Sequence, residues 1–367
     1  MNVLIICNYA SGLFTFRGML IGKLLAQGHT VNAVVPETQE KQELSAQREL
    51  EKLGCSLYRV SMERRGMNPL KDIRLLLAYR RVLREAHPDY VITYTIKPNV
   101  YGSLACRMAK LPCAVNITGL GTAFQNEGFL RKLVTILYKV ALKKVKIVFF
   151  ENIENRKVFV DLGIVKQDKT YVLAGAGVDL ERFYFAKYPE DEPETRFLFI
   201  GRVMREKGIE ELFQAMQLLR ADEPRCTLHI LGGFEEDYAQ KLEQYASEGW
   251  LCYHGYQEDV RPFIEKCHCF VLPSWHEGMA NTNLECAAMG RPVITSNIHG
   301  CLEAVIDGKS GMLCRPKSAE DLYGVMRKFM QMSTVQRSAM GKAGRRHMEE
   351  AFDKRKVVEA TLKVIGV

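Results

Sequence analysis

In the first half of the chain, short and nearly continuous apolar runs alternate with longer stretches whose apolar residues recur every three or four positions. The runs are 2-NVLIICNY-9, 30-TVNAVVP-36, 57-LYRVSM-62, 90-YVITYT-95, 113-CAVNIT-118 and 146-KIVFFEN-152. An uninterrupted apolar run belongs to a strand covered on both faces, and strands separated by helical patterns make βαβ units. A parallel sheet is therefore expected. The pattern pauses at 185-FAKYPEDEPETR-196, rich in Pro and acid, which reads as a link. It restarts with 196-RFLFIG-201, 226-CTLHILG-232, 250-WLCYHG-255, 269-CFVLPS-274 and 292-PVITSN-297, a second parallel sheet. The predicted fold class is α/β: two doubly wound parallel-sheet domains facing across a cleft, residues 1–180 and 181–367, with the C-terminal helix packing back toward the first. Ligands of such sheets bind beyond the carboxyl ends of the strands.

Composition narrows the class. With 367 residues, 47% of them hydrophobic and 26% charged, the chain has the make-up of a soluble globular protein of two domains. Its 11 cysteines are odd in number and lack paired spacing, which predicts reduced thiols in a cytoplasmic protein. In Cys267-His268-Cys269 a strand would put the histidine opposite the two cysteines, and no second pair completes a zinc site. The start, MNVLIICNYA, lacks a basic n-region and reads as a first strand, and no apolar run approaches the roughly 18 residues that span a bilayer.

Charge changes the picture more. The net charge is +8, but residues 1–175 carry +12 and the remainder −4. A basic half points to an anionic partner. For nucleic acid no helix-turn-helix, zinc module or aromatic-basic sheet motif is found. The segment 129-FLRKLVTILYKVALKKVK-146 carries Phe129, Leu133, Ile136, Leu137 and Val140 at helical spacing among Arg131, Lys132, Lys139, Lys143 and Lys144. Two readings fit it: a packed helix with a solvated basic face, or a helix lying on an anionic membrane surface. The stretch 119-GLGTAF-124 resembles part of a dinucleotide fingerprint but has Phe124 where the third glycine belongs.

The chemistry concentrates in 270-FVLPSWHEGMANTNLECAAMGRPVI-294, where Glu277 and Glu285 stand eight positions apart between a strand and a helix. Small residues and Gly278 let backbone N–H groups approach a ligand, and a helix amino terminus favours an anion such as a diphosphate. Glu285 can accept from the vicinal hydroxyls of a ribose and Glu277 from those of a sugar. After the first strand of the second half, 201-GRVMREKG-208 offers Arg202 and Lys207, two cations that can hold a diphosphate in place of a divalent metal. No Asp-x-Asp occurs, so neither metal nor cofactor is expected. A nucleotide-sugar fits this set.

Together with 300-GCLEAVIDGKSGMLCRP-316, these motifs resemble glycosyltransferase family 4, whose members are retaining enzymes of the GT-B fold with two Rossmann-like domains. In the first half, 16-FRGMLIGKLLAQGHTV-31, 65-RGMNPLKD-72, 94-YTIKPNVYGS-103 and 116-NITGLGTAF-124 are similar to bacterial enzymes that build lipid-linked, capsular or N-glycan oligosaccharides, N-acetylgalactosaminyltransferases among them. The resemblance implies transfer of a hexose or N-acetylhexosamine such as GalNAc from a UDP-sugar to a polyprenyl-diphosphate-linked saccharide, with retention, by a peripheral protein on the inner face of the cell membrane. It implies Arg202 and Lys207 on the diphosphate, Glu277 on the donor sugar, Glu285 on the ribose, Gly278, Met279 and Ala280 as backbone donors, and Asn281 beside them. The family's amino-terminal glycine loop corresponds to Ser11-Gly12, and Gly12 joins the donor set. Arg64, Arg65 and Lys97 fall on the acceptor side, and Thr118 and Gly119 shape the space between donor and acceptor. Many relatives carry a histidine near this last position; here there is none. A UDP-sugar epimerase of the same fold and a noncatalytic nucleotide-sugar-binding subunit are the alternative readings.

Overall fold

The computed structural model describes residues 1–63, 66, 68–121, 124, 128–190 and 194–366. Arg64 and Arg65 lie outside the described residues. The chain forms two compact units, Met1–Ala176 with Arg355–Val367, and Gly177–Lys354. It crosses between them at Ala176–Gly177 and at Lys354–Arg355, not through the Pro- and acid-rich stretch expected to link them. The start of that stretch is fixed to the second unit: the fully buried Arg291 guanidinium donates to the carbonyls of Ala186 at 3.0 Å and Lys187 at 3.0 Å.

The first unit runs β1 (Asn2–Ile6), α1 (Ala10–Ala26), β2 (Thr30–Pro36), α2 (Lys41–Lys52), β3 (Ser56–Val60), α3 (Pro69–Ala86), β4 (Tyr90–Tyr94), α4 (Ser103–Ala109), β5 (Cys113–Ile117), α5 (Phe129–Leu142), β6 (Ile147–Phe150), α6 (Ile153–Asp161) and β7 (Thr170–Val172). Its sheet is parallel, ordered β3-β2-β1-β4-β5-β6-β7. Successive strand residues point to opposite faces, so Val3 and Ile5 join the α1 and α2 side while Leu4 and Ile6 join that of α3, α4, α5 and α6. Both faces are covered, which is why the strands read as unbroken apolar runs.

The second unit runs β8 (Thr195–Ile200), α7 (Ile209–Asp222), β9 (Cys226–Leu231), α8 (Ala239–Ser247), β10 (Leu251–Tyr253), α9 (Arg261–Lys266), β11 (Cys269–Leu272), α10 (Asn281–Ala288), β12 (Val293–Ser296), β13 (Gly311–Cys314), α11 (Ala319–Met330) and α12 (Thr334–Ala351). Its order is β10-β9-β8-β11-β12-β13, again parallel. The last helix, α13 (Lys354–Ile365), returns to the first unit and buries Val357, Val358, Leu362 and Ile365 in the core on the α1 and α2 side of its sheet.

Each sheet changes winding direction once, between β1 and β4 and between β8 and β11. Neighbouring strands there send their connections to opposite faces, which opens a crevice at their carboxyl ends. Among the described residues no helix is long and apolar enough to cross a membrane.

Candidate active site

The second unit's crevice is built by close backbone packing. The turn after β8 ends at Gly208, whose φ of +73° is left-handed, and a Cβ there would stand 2.0 Å from the Pro273 carbonyl oxygen beyond β11. Only glycine allows that approach. It brings Lys207 against the loop after β11, where its ammonium pairs with the Glu277 carboxylate. The Ser274 hydroxyl donates to the same carboxylate oxygen at 2.8 Å. Both members of the pair are mostly buried, so the charges meet in a medium where they interact strongly and fix each other's geometry.

The loop around the pair is held at both ends. The Trp275 N–H donates to the Glu206 carbonyl at 2.9 Å, its indole N–H donates to Glu211 at 3.0 Å, and the Lys317 ammonium lies 4.5 Å from the centre of its ring. Gly300, with φ +91°, packs so tightly that a Cβ would come within 2.7 Å of the Glu277 carbonyl oxygen. The Ala280 N–H donates to the Gly300 carbonyl at 2.7 Å. That bond removes Ala280 from the backbone donors assigned from sequence. Met279 and Ala280 bury their side chains and anchor the loop from beneath.

α10 begins at Asn281, whose side-chain oxygen is buried and without a partner among the described residues. A buried acceptor with nothing to accept costs about 1–3 kcal/mol, which identifies it as a group waiting for a donor. Two residues on, the Asn283 amide donates to the Thr295 hydroxyl at 3.0 Å and that hydroxyl donates to the Leu272 carbonyl at 2.8 Å, tying α10 to β11 and β12. Glu285 sits one turn into α10, half-buried, and loss of solvent pushes its carboxyl up to about 7. Lys354 and Arg182 pull in the opposite direction without cancelling that effect.

Arg202 is not gathered into the Lys207 cluster. It lies half-exposed, 3.2 Å from the Glu235 carboxylate beyond β9, so the two cations of one loop face different neighbours. Ser274, Glu211 and Lys317 are not among the site residues expected from sequence; Ser274 lies within the quoted motif, but its partner is set only when the strand ends.

In the first unit, Gly12 lies in the first turn of α1, and a Cβ there would fall 1.8 Å from an atom of the Tyr9 ring. The backbone N–H of Ala10 donates at 2.6 Å to Glu43 of α2, and the Ser11 hydroxyl donates to the same carboxylate. Lys97 pairs with Asp72 at 3.0 Å, both side chains largely buried. It follows Thr95, a β-branched residue at φ +73° and therefore strained. Thr118 and Gly119 are half-buried beyond β5, with Gly119 at φ +150°.

Two parallel sheets of this order, with paired charge at the carboxyl end of the second, define a GT-B glycosyltransferase. The fold is that of Anabaena HepE crystallised with UDP and glucose, which superimposes with a TM-score of 0.80 over 100% of this chain and 99% of that one at 16% identity. The chain belongs to the family-4 glycosyltransferases: residues 11–165 match the Glycosyl transferase 4-like domain and residues 181–347 match Glycosyl transferases group 1. It is 26% identical over 339 residues, 88% of its length and 87% of the relative's, to the N,N'-diacetylbacillosaminyl-diphospho-undecaprenol alpha-1,3-N-acetylgalactosaminyltransferase of Campylobacter jejuni. It is 28% identical over 256 residues, 64% of its length and 65% of the relative's, to the UDP-Gal:alpha-D-GlcNAc-diphosphoundecaprenol alpha-1,3-galactosyltransferase of Escherichia coli.

Proposed function

We propose that this glycosyltransferase moves a hexose or N-acetylhexosamine from a UDP-sugar to a polyprenyl-diphosphate-linked saccharide in bacterial glycan assembly, with retention at the anomeric carbon. The observation that carries the donor side is the Lys207–Glu277–Ser274 cluster at the β8/β11 switch point, with Asn281 and Glu285 on the helix that follows. The Campylobacter relative's name specifies an acceptor on diphospho-undecaprenol and the Escherichia relative's a UDP-Gal donor, which supports both halves of the reading.

In this reading Lys207 and Arg202 neutralise the leaving diphosphate, and the backbone N–H groups of Gly278 and Met279 add to them. Glu277, oriented by Lys207 and Ser274, accepts from the donor sugar's hydroxyls, and Glu285 accepts from the ribose. The acceptor hydroxyl attacks the anomeric carbon on the face the diphosphate leaves, and its proton passes to a leaving-group oxygen. The C–O bond to UDP breaks as the new glycosidic bond forms. No cofactor or metal takes part in this reading. The basic first unit receives the acceptor and lies on an anionic membrane surface, on the cytoplasmic side.

A panel of UDP-GalNAc, UDP-GlcNAc, UDP-Gal, UDP-Glc and GDP-mannose with a polyprenyl-diphosphate-linked acceptor tests it. Turnover with one UDP-sugar, an axial product by proton NMR and indifference to EDTA are expected. A C2- or C4-inverted sugar made from donor alone would identify an epimerase instead.

A further inference from the structure

α3 and α5 lie on one side of the first unit's sheet, and α4 packs against both. α3 buries Leu75, Tyr79, Val82 and Leu83 toward the sheet. On the side directly opposite, at the same helical spacing, stand Leu70, Ile73 and Leu77, each more than half exposed, with Leu70 at 71%. α5 repeats this: Val134, Tyr138, Ala141 and Leu142 face the core, while Phe129, at 81% exposure, Ile136 and Val140 face outward. Scattered exposed aliphatics are ordinary, but two outward stripes on neighbouring helices, each opposite its helix's own core face, are a patterned surface.

Charge says what covers it. Residues 128–150 hold six Lys and Arg and no Asp or Glu. Lys132, Lys139 and Lys143 are exposed beside the α5 stripe, and Arg74, Arg80 and Arg84 beside that of α3. Among the described residues these six make no ion pair. On α3, Glu85 is engaged by Arg81 at 2.7 Å and Asp72 by Lys97. Apolar ridges flanked by long uncompensated cations match the layering of an anionic bilayer, where the ridge enters the acyl boundary and the cations reach the phosphates.

We infer that the α3–α4–α5 side of the first unit is a docking face for an anionic lipid bilayer, with α3 contributing as much as α5. The inference rests on the reading that the acceptor is lipid-linked and assigns the surface through which the enzyme reaches it. The sequence signals only α5; the α3 stripe is outward because Tyr79 and Val82 turn the opposite face to the core.

Flotation of the full chain with phosphatidylcholine vesicles, with and without phosphatidylglycerol, tests it. Wild type should float only with the anionic lipid, and less as salt shortens the Debye length from about 10 Å to about 3 Å. The α3 variant Leu70→Ser/Ile73→Ser/Leu77→Ser and the α5 variant Lys139→Glu/Lys143→Glu/Lys144→Glu should each lose at least about tenfold in partitioning, about 1.4 kcal/mol, with melting temperature and UDP affinity unchanged. An α3 variant that floats like wild type overturns the two-helix face and leaves only α5. Loss in the charge variant alone shows electrostatic attraction without insertion, as for an acidic protein partner, and also overturns it. A wild type that transfers sugar to the acceptor in detergent yet never floats removes the docking face and leaves the transferase reading standing. A wild type that floats as expected but transfers nothing to the lipid-linked acceptor breaks that reading instead.

Discussion

The chain builds the same switch point twice and furnishes the two in opposite ways. Beyond β1 and β4, the charged side chains are paired within the unit, although the Asn8 side-chain oxygen is buried there without a partner among the described residues. The first N–H groups of α1 are taken by Glu43, and the Arg17 guanidinium is buried against Glu151 at 2.8 Å with the Tyr94 ring 4.7 Å away. Beyond β8 and β11, polar capacity is left over. Asn281 holds an unpartnered acceptor among the described residues, burial raises the Glu285 carboxyl to about 7, and Lys207 pairs with Glu277 beside them. A fold whose local choices all agree is stable, and disagreement collects where a ligand completes the structure. This difference supports the proposed placement of the nucleotide in the second unit, although both units have the topology for one.

The largest effect should come from breaking the second crevice's ion pair. Lys207→Ala leaves Glu277 mostly buried without its cation and removes a diphosphate donor, so turnover should fall about a hundred- to a thousandfold. Glu277→Ala should lose turnover comparably but keep UDP affinity, because its proposed contacts are to the sugar. Steady-state kinetics beside calorimetric titration with UDP separate the two. Equal losses of UDP affinity in both variants would sink the assignment of Glu277 to the sugar.

The same substitution in the two crevices sharpens the contrast. Gly208→Ala forces a left-handed residue with a Cβ against the Pro273 backbone, which cannot yield, and should cost more than about 2 kcal/mol of folding stability. Gly12→Ala meets only the Tyr9 ring, a side chain that can swing away, and gains helix propensity, so its net effect should stay within about 1 kcal/mol. Urea denaturation of both variants measures the difference. Similar costs would mean that the α1 end is as tightly built as the β8 turn.

Glu285 gives the second crevice a pH signature. Its carboxyl is raised from 4.5 to about 7 by burial, so the folded chain binds a proton there that the unfolded chain has released between those values. Folding stability is therefore lost progressively as pH rises through that window, by on the order of 1–3 kcal/mol. Glu285→Gln should raise the melting temperature at pH 8 and leave it unchanged at pH 4. UDP affinity runs the other way: the ribose needs the ionised acceptor, so wild type should bind UDP more weakly below about pH 7. In Glu285→Gln that pH dependence should vanish, with affinity weakened at every pH. A wild-type profile flat from pH 6 to 8 would place the nucleotide elsewhere.

How much of this contrast was legible in the sequence depends on how local its causes are. Lys207 and Glu277 lie in the loops that follow β8 and β11, so the runs that predict those strands also predict the end of the sheet where those side chains emerge. The short edge strands β7 and β13 were not read, because TYV and GMLC are too brief to show a period. For 129–146 the spacing could not choose between core and surface, since α5 is apolar on both sides: Val134 and Tyr138 go in while Phe129 and Ile136 stay out. Lys354 and Arg182 come to Glu285 from distant parts of the chain, and the lysine is held by the pairing of Val178 with Phe352, N···O 2.8 Å, and with Lys354, N···O 3.0 Å. Gly12 looked like a remnant of a phosphate loop, and what makes that reading incomplete is a carboxylate on another helix.

Glu43 is the residue on which the contrast rests in the first unit, and its effect should be the smallest. It is mostly buried, and it accepts from Ala10 N–H at 2.6 Å, from Ser11 N–H at 3.4 Å and from the Ser11 hydroxyl. A negative charge at this point offsets the positive end of the α1 dipole and satisfies donors that an incoming phosphate would otherwise take. Glu43→Gln keeps the shape and removes the charge, so it should cost about 1 kcal/mol of stability. If the first crevice is closed to anions, UDP affinity should stay within about twofold of wild type, a change of roughly 0.4 kcal/mol. Glu43→Ala, which empties the position, gives the stricter test. Tighter binding of UDP or pyrophosphate to that variant, by tenfold or more, would show that α1 is an anion site held shut by its own chain, and the two crevices would then differ in occupancy and not in kind.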